Sequence, residues 1–585
     1  MQNFAEQCLD IARSIAIHNL DYINGDGSIR AVDREELAGD EAAHVAFALG
    51  EFYRLTHEIN FAEHNMIDLA AKVIAYQVTH MPRNSDWVGY VALALLSFGV
   101  VKERNAVWQK LPEEVRLKFD HLLMRRDELR PDGFACAIAK SVARHGLKLT
   151  KKDDIGKLVD RFLEYCEGHS TGGFFDSDGG KGMGGCFDVK GLYNLSFIRQ
   201  ALHLHTDSFV IERKLPSLRT HAEKYLRLIP DLMRQDGACW VYGSAVGAHG
   251  EMYCISVIIQ ALYDGWIPPD RQSLYLNIVL ELFQNFFCHY IDQEQGYMVI
   301  RDGERSSGAD GSSIRANFDA MRHLCQWSRL ARKSAMHTGR IRRASAFKPG
   351  NRLVIFDKNS KRESGLFIYR DGKTGMNLQL PLIGANGRAD SDCLAFPHCP
   401  GVFDWPAGKY LPILQPELTI DGKRYIPSYY GKKLSTGLGP RRSVVFAYEQ
   451  PELVTVEEEV ALGIGSCRVA WTFSEERIMA EFTYVVRERT RVEQLRYMIA
   501  LSAPHSVYGA NNFALDAESL RAVVEHDDML LAWQEIADVS ENPEYRTYFG
   551  KIHYLQELSR SYPLIMHPGQ SYKLAISFAP DVMRI

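Results

Sequence analysis

The chain has 585 residues, 46% of them hydrophobic and 24% charged, with a formal charge of -5. This balance belongs to a folded protein with room for more than one domain, and it excludes a largely disordered chain and a general electrostatic field for nucleic acid. No apolar run approaches the roughly 18 residues a bilayer span requires, so neither a membrane nor a nucleic acid is expected as a partner.

The first twenty residues, MQNFAEQCLDIARSIAIHNL, interrupt every apolar run with a polar or acidic residue. They read as an amphipathic helix, without the basic n-region and unbroken h-region of a signal peptide. Eleven cysteines form no CxxC pair, and Cys8, Cys136, Cys254, Cys288 and Cys325 sit in helical apolar patterns that suit buried free thiols. Both features lead to the expectation of a cytoplasmic protein.

Helical spacing continues to about residue 333, in segments near 2–19, 39–58, 61–79, 86–101, 111–125, 133–146, 154–167, 187–205, 216–234, 250–264, 272–290 and 313–333. Twelve such segments make six hairpins. The loops carry a recurring Asp-Gly, at Asp26-Gly27, Asp132-Gly133, Asp178-Gly179, Asp236-Gly237, Asp302-Gly303 and Asp310-Gly311. Glycine accepts positive φ and aspartate bonds its own backbone, so the pair favours tight turns. Much of that spacing is near 50 residues, the length of one long hairpin.

The character changes after about residue 340. A basic stretch, HTGRIRRASAFKPGN, gives way to short alternating runs such as RLVIFDK, GLFIYRD, SVVFAYE, CRVAWTFSE, IMAEFTYVV and YKLAISFA, which read as strands. The expected organisation is therefore α then β: a helical domain over 1–338, a linker over 339–351 and an antiparallel β-sandwich over 352–585.

Chemistry-bearing residues gather in the loops of the helical half. Asn84 and Trp87 could form a sugar-stacking rim, since an aromatic face suits the apolar side of a pyranose; a helix cap with a core tryptophan explains the same letters. Asp176 and Asp178 lie in a glycine-rich loop that leads toward Asn194. Spaced carboxylates of this kind suit an inverting hydrolase, a calcium ion or plain turn formation. The densest loop, RQDGACWVYGSAVGAHGEMY, carries Trp240, Tyr242, His249, Glu251 and Tyr253. Arg301, Arg305 and Arg315, with Asn317, surround another loop, where an arginine fork can grip a carboxylate or sulfate. In the β-domain, His398 stands in a long aromatic segment, and its neighbour Cys399 does not give standard zinc-ligand spacing. The chain has no GxGxxG opening a βαβ unit, no GxxxxGK[ST] and no HExxH, which argues against dinucleotide, P-loop and zincin chemistry.

Six helical hairpins followed by a β-sandwich resemble polysaccharide lyases of the (α/α) toroid type, the chondroitin, hyaluronan, heparin and alginate lyases. In their pattern an Asp-Gly-Ser opens a loop and a catalytic His and Tyr follow before the next helix. Asp236-Gly237 matches that opening, while Tyr242 falls where the chondroitin-type pattern has His, and His249 falls near its Tyr. The resemblance implies β-elimination on an acidic, uronate-containing glycan, with Tyr242 and His249 as the proton-transfer pair and Arg315 or Asn194 holding the carboxylate. Substrate contacts are expected from Trp87, Asn84, Trp240, Tyr253, Arg301, Asn317 and His398; some lyases of this kind bind a structural metal, but the spacing of His398 and Cys399 assigns none here, and no cofactor is expected. Two other readings stay open: an inverting glycoside hydrolase using Asp176, Asp178 or Glu251, and a non-catalytic glycan-binding protein.

Overall fold

The computed structural model describes residues 2–31, 37–80, 86–125, 129, 133–150, 154–175, 186–205, 208–233, 237, 248–292, 294–298, 314–333, 348–358, 362–372, 377–382, 415–428, 431–456, 461–474, 478–501 and shorter segments between 506 and 582. Thirteen α-helices occur among them before residue 334. They are α1 (Gln2–Asn19), α2 (Glu41–Thr56), α3 (Met66–Thr79), α4 (Trp87–Ser97), α5 (Ala106–Lys110), α6 (Glu113–Met124), α7 (Phe134–Gly146), α8 (Ile155–His169), α9 (Val189–Leu202), α10 (Ser208–Leu232), α11 (Ala248–Tyr263), α12 (Pro269–Tyr290) and α13 (Ile314–Lys333).

Six of these helices close a ring. Neighbours pack in the order α2, α4, α7, α9, α11, α13 and back to α2. A second layer lies outside: α3 on α2, α6 on α7 and α3, α8 on α7, α10 on α8 and α9, α12 on α11, and α1 on α13. The domain is an (α/α) toroid. The sequence decides which helix goes where by how much of its surface is apolar. All eleven residues of α4 are buried, and none is charged. A helix apolar all round belongs inside, whereas α8, with Ile155, Val159, Phe162 and Cys166 on one stripe, belongs in the outer layer. Gly50 and Gly89 allow the inner helices to meet closely. A Cβ on Gly50 would stand 3.0 Å from the Ala94 carbonyl and from Ser97 Cβ, and one on Gly89 would stand 3.0 Å from Cys136 Cα.

The observed helices depart from the expected ones in three places. A two-residue hairpin, Asn60–Phe61 with His64–Asn65, precedes α3, so the first half is not purely helical. Asn65 then caps α3, its Oδ1 accepting from the amides of Ile67 and Asp68. Helix α10 begins eight residues before Pro216, which lies inside it. The short α5 is additional.

The C-terminal half is built of antiparallel sheets. In a six-stranded sheet, Gly465–Phe473 and Ile478–Val486 bury every second residue, the period expected of a strand with one covered face. That face meets a three-stranded sheet (Gly350–Lys358, Glu363–Arg370, Asn377–Leu382) at Phe367 and Phe446, with ring centroids 4.7 Å apart. It also meets an eight-stranded sheet at Phe482 and Tyr497, 6.0 Å apart.

The three-stranded sheet docks the two halves together. Gly172 N–H donates to the Phe356 carbonyl at 2.8 Å, and the rings of Phe174 and Phe356 meet edge to face. Asp231 near the end of α10 receives Arg352 at 2.5 Å and Arg370 at 2.8 Å, while Gln379 donates to the Leu232 carbonyl. Helix α13 ends at Lys333 and the first of these strands begins at Gly350; the expected linker between them falls largely outside the described residues. Eight cysteines are described, and no disulfide joins any two of them; Cys239, Cys393 and Cys399 lie outside the described residues. No helix among the described residues is long and apolar enough to cross a membrane.

Candidate active site

One end of the ring carries a buried polar group contributed by five inner helices. His44 lies in the first turn of α2, Tyr90 in the first turn of α4, Tyr193 near the start of α9, Tyr253 in the second turn of α11, and Asp319 and Arg322 in the second and third turns of α13. Because these early residues meet, the five helices run parallel, with their positive N-terminal ends at this end of the ring. Each such end favours a nearby anion by about 0.3–1 kcal/mol. Beneath the group Phe47 of α2 and Phe197 of α9 approach to 5.9 Å, and Tyr90 stands 5.2 Å from Phe197. As α2 and α9 are not ring neighbours, this contact crosses the axis and forms a floor. Arg322 rests on it, its guanidinium carbon 4.9 Å above the Phe47 ring.

The charges interlock. His44 Nδ1 lies 2.8 Å from Asp319 Oδ1 and its Nε2 3.8 Å from Asp40 Oδ2. Arg315 Nη1 donates to Asp40 at 3.3 Å, and Arg322 Nη2 lies 3.5 Å from Asp319. Burial alone would raise the Asp319 carboxyl, but His44, Arg322 and Arg315 together hold it far below the usual carboxylate range. Burial likewise opposes charge on His44, and the two aspartates overcome it and raise its pKa. Arg315, Arg322 and His44 thus face Asp40 and Asp319, with buried Glu41 also acting on Arg315; the Arg315 side chain is 44% exposed and the others are buried.

Tyr253 and His249 carry the groups that can move protons. Burial pushes the Tyr253 phenol up despite the pull of Arg322, whose Nη2 stands 3.2 Å from the hydroxyl, so Tyr253 keeps its proton. Tyr90 hydrogen-bonds with both Tyr253 and Tyr193. His249 is half-buried one turn earlier on α11. Burial pushes its imidazole below the ordinary value; Asp319 opposes this, while Arg315, His44 and Arg322 reinforce it. A neutral imidazole and a protonated phenol therefore share one face of α11, four residues apart. Behind Tyr253, His323 lies edge-on to its ring at 4.7 Å and bonds both Arg322 and Ser256.

The expected site residues divide sharply. His249, Tyr253 and Arg315 come together in this group. Asn194 is fully buried in α9, with its Nδ2 donating to the Lys190 carbonyl of its own helix at 2.9 Å and its Oδ1 without a partner among the described residues. The bond to Lys190 occupies one of its two amide hydrogens. Asn317 accepts from the Met298 amide at 2.7 Å and ties that segment to α13, a structural role in place of substrate contact. Trp87 is 2% exposed at the start of the wholly buried α4, so its ring packs in the interior and forms no rim. Glu251 turns toward the outer layer, accepting from Asn285 of α12 at 2.6 Å. Asn84, Asp176, Asp178, Trp240, Tyr242, Arg301, Arg305 and His398 lie outside the described residues.

Asp40, His44, Tyr90, Tyr193, Asp319, Arg322 and His323 are members that the reading of loops missed. A signal for them exists. Arg315, Asp319, Arg322, Gln326 and Arg329 recur at intervals of four and three along α13, one polar stripe on a helix that is otherwise buried. No group of three or more His, Cys, Asp or Glu among the described residues is placed to hold a metal ion.

No protein-family model and no curated protein matches the chain. Among solved structures it is similar to the Streptomyces coelicolor A3 chondroitin AC lyase, at 9% identity and a TM-score of 0.48 over 99% of this chain and 80% of that one. It is similar to heparinase III, at 10% identity and 0.34 over 98% and 89%, and to the GH76A alpha-1,6-mannanase from Salegentibacter sp. HEL1_6, at 11% identity and 0.38 over 55% and 99%. Toroid lyases of the kind resembled by the domain order are therefore among the structures this chain is like, and so is a glycoside hydrolase.

Proposed function

We propose that the protein is a polysaccharide lyase that cleaves a uronic-acid-containing glycan by β-elimination. The observation that carries this reading is the pairing of neutral His249 with protonated Tyr253 on one face of α11, beside the Arg322 guanidinium and the exposed Arg315. Elimination next to a uronate needs a base for the C5 proton, an acid for the leaving oxygen, and a cation to neutralise the carboxylate. His249 takes the C5 proton, the electron pair forms the C4–C5 double bond, and the C4–O bond breaks as Tyr253 protonates the leaving oxygen. Arg322 then faces the phenolate, and a proton passed from His249 to Tyr253 restores both groups. Arg315, whose side chain is 44% exposed, holds the substrate carboxylate, while His44 stays bound to Asp319 and Asp40. Tyr242, beyond the described residues, remains a candidate to share the proton transfer.

The test is an assay on a panel of uronic-acid glycans. An unsaturated uronate absorbing in the near ultraviolet is expected. Tyr253→Phe and His249→Gln should each lower turnover about 10²-fold or more while the protein stays folded, the usual scale for losing a general acid or base. Tyr242→Phe, run beside them, measures that residue's share. New reducing ends without absorbance, with Asp176→Asn inactive, would replace the lyase with a hydrolase; neither product would leave a binding protein.

A further inference from the structure

We propose that Trp327, Ser256 and His323 form a positioning relay that holds the Arg322 guanidinium against the Tyr253 hydroxyl. The chain of contacts fixes who donates to whom. The Trp327 indole N–H can only donate, and it reaches Ser256 Oγ at 2.8 Å. Arg322 can only donate, and its Nη2 lies 3.0 Å from His323 Nε2, so that nitrogen is the acceptor. A neutral imidazole with Nε2 accepting carries its proton on Nδ1, which stands 2.7 Å from Ser256 Oγ and donates to it. Burial first, and then Arg322, push the His323 imidazole well below its ordinary value, so it stays neutral and keeps this tautomer.

The relay matters because Arg322 Nη2 has three claimants. His323 Nε2 stands at 3.0 Å, the Tyr253 hydroxyl at 3.2 Å and Asp319 Oδ1 at 3.5 Å. With only two hydrogens on that nitrogen, one held by His323 leaves the other aimed between Tyr253 and the carboxylate. Without the imidazole acceptor, the negative charge of Asp319 is the stronger attraction, and the guanidinium leaves Tyr253. All the members are buried, on α11 and α13, which pack directly against each other. Their side chains contact one another and Tyr253, so they act through Arg322 without being placed on a substrate.

The grip on Tyr253 is a property of the protein alone, while its value for turnover rests on the lyase reading; two measurements separate them. In the first, protein carrying 3-fluorotyrosine is titrated by 19F NMR, with the Tyr253 signal identified by its loss in Tyr253→Phe. His323→Phe keeps a ring but removes the acceptor, and should move ionisation of Tyr253 upward by about one pH unit, the scale of one charge-assisted hydrogen bond. His323→Gln, whose Oε1 can stand where Nε2 stood, should restore it. Ser256→Ala, which lets the imidazole adopt the other tautomer, should behave as His323→Phe does and serves if the latter fails to fold. In the second, with a glycan that is turned over, kcat should fall about tenfold in His323→Phe with KM unchanged, and recover in His323→Gln. A Tyr253 signal titrating alike in wild type, His323→Phe and Ser256→Ala would overturn the relay. A shifted signal in a protein that makes no unsaturated product would leave the relay standing and remove the lyase.

Discussion

Asp319 is the residue on which the others depend. It is buried, it receives His44 at 2.8 Å, and Arg322 lies 3.5 Å away, so its charge is what allows these two cations to be held out of water. Its depressed pKa contributes stability that is present above the unfolded value of 3.8 and is lost as pH falls through the folded value. His44 works in the opposite sense. Its raised pKa contributes stability fully present below the unfolded value of 6.5 and lost as pH rises through the folded value. The pair is therefore worth most in mildly acidic solution. Thermal melts of wild type and His44→Gln across about pH 5 to 9 should differ most at the acidic end and converge at the alkaline end; a gap independent of pH would show that His44 is neutral throughout. Asp319→Asn leaves buried Arg322 without its carboxylate and His44 with only Asp40, and should cost about 3–5 kcal/mol in a denaturant titration.

At the scale of elements, the inner helices combine close packing with a polar lining. Gly50→Ala places a methyl 3.0 Å from both a carbonyl oxygen and Ser97 Cβ, where α2 and α4 meet along their length. Neither neighbour can swing away, and a loss of about 1–3 kcal/mol is expected from chemical denaturation, as for other overpacked cores. Much of this layer was legible beforehand. The apolar periodicity located α1, α7 and α12 within three residues of their observed ends, because a stripe of large apolar side chains needs no knowledge of what it will cover. The start of α10 was misread because Pro216 resembles a helix start, whereas the helix runs through it. The ring order was not legible at all, since periodicity says which face is apolar and nothing about the partner. For the site, His249 and Tyr253 were readable from a dense loop. The polar stripe from Arg315 to Arg329 was not, because a polar stripe looks the same whether it faces solvent or a polar lumen.

At the scale of the molecule, the two halves are joined where Asp231 meets Arg352 and Arg370 and where Phe174 meets Phe356. Asp231→Ala leaves two arginines without their carboxylate at this seam. Calorimetry should then resolve two unfolding transitions where the wild type has one, with the transition of the β-half moving down; a single unchanged transition would mean that the apolar contact suffices. The switch from helical to alternating spacing made the division into halves visible in the sequence. The seam was not, because each of its residues belongs to an element whose own pattern is complete without it.

The Phe47–Phe197 contact has a consequence for traffic. Rings that meet across the axis stand between the polar group and the far end of the ring, so on the lyase reading the site is approached from its own end. If the protein acts on a glycan as proposed, the polymer is not expected to be drawn past those rings and released behind them. It would lie across the opening or lower one end into it, and the product would leave by the way it came. On that reading, successive cleavages along one chain would require the polymer to lift and settle again each time, and the length of glycan gripped at the opening, rather than threading, would set how many cuts follow from one encounter.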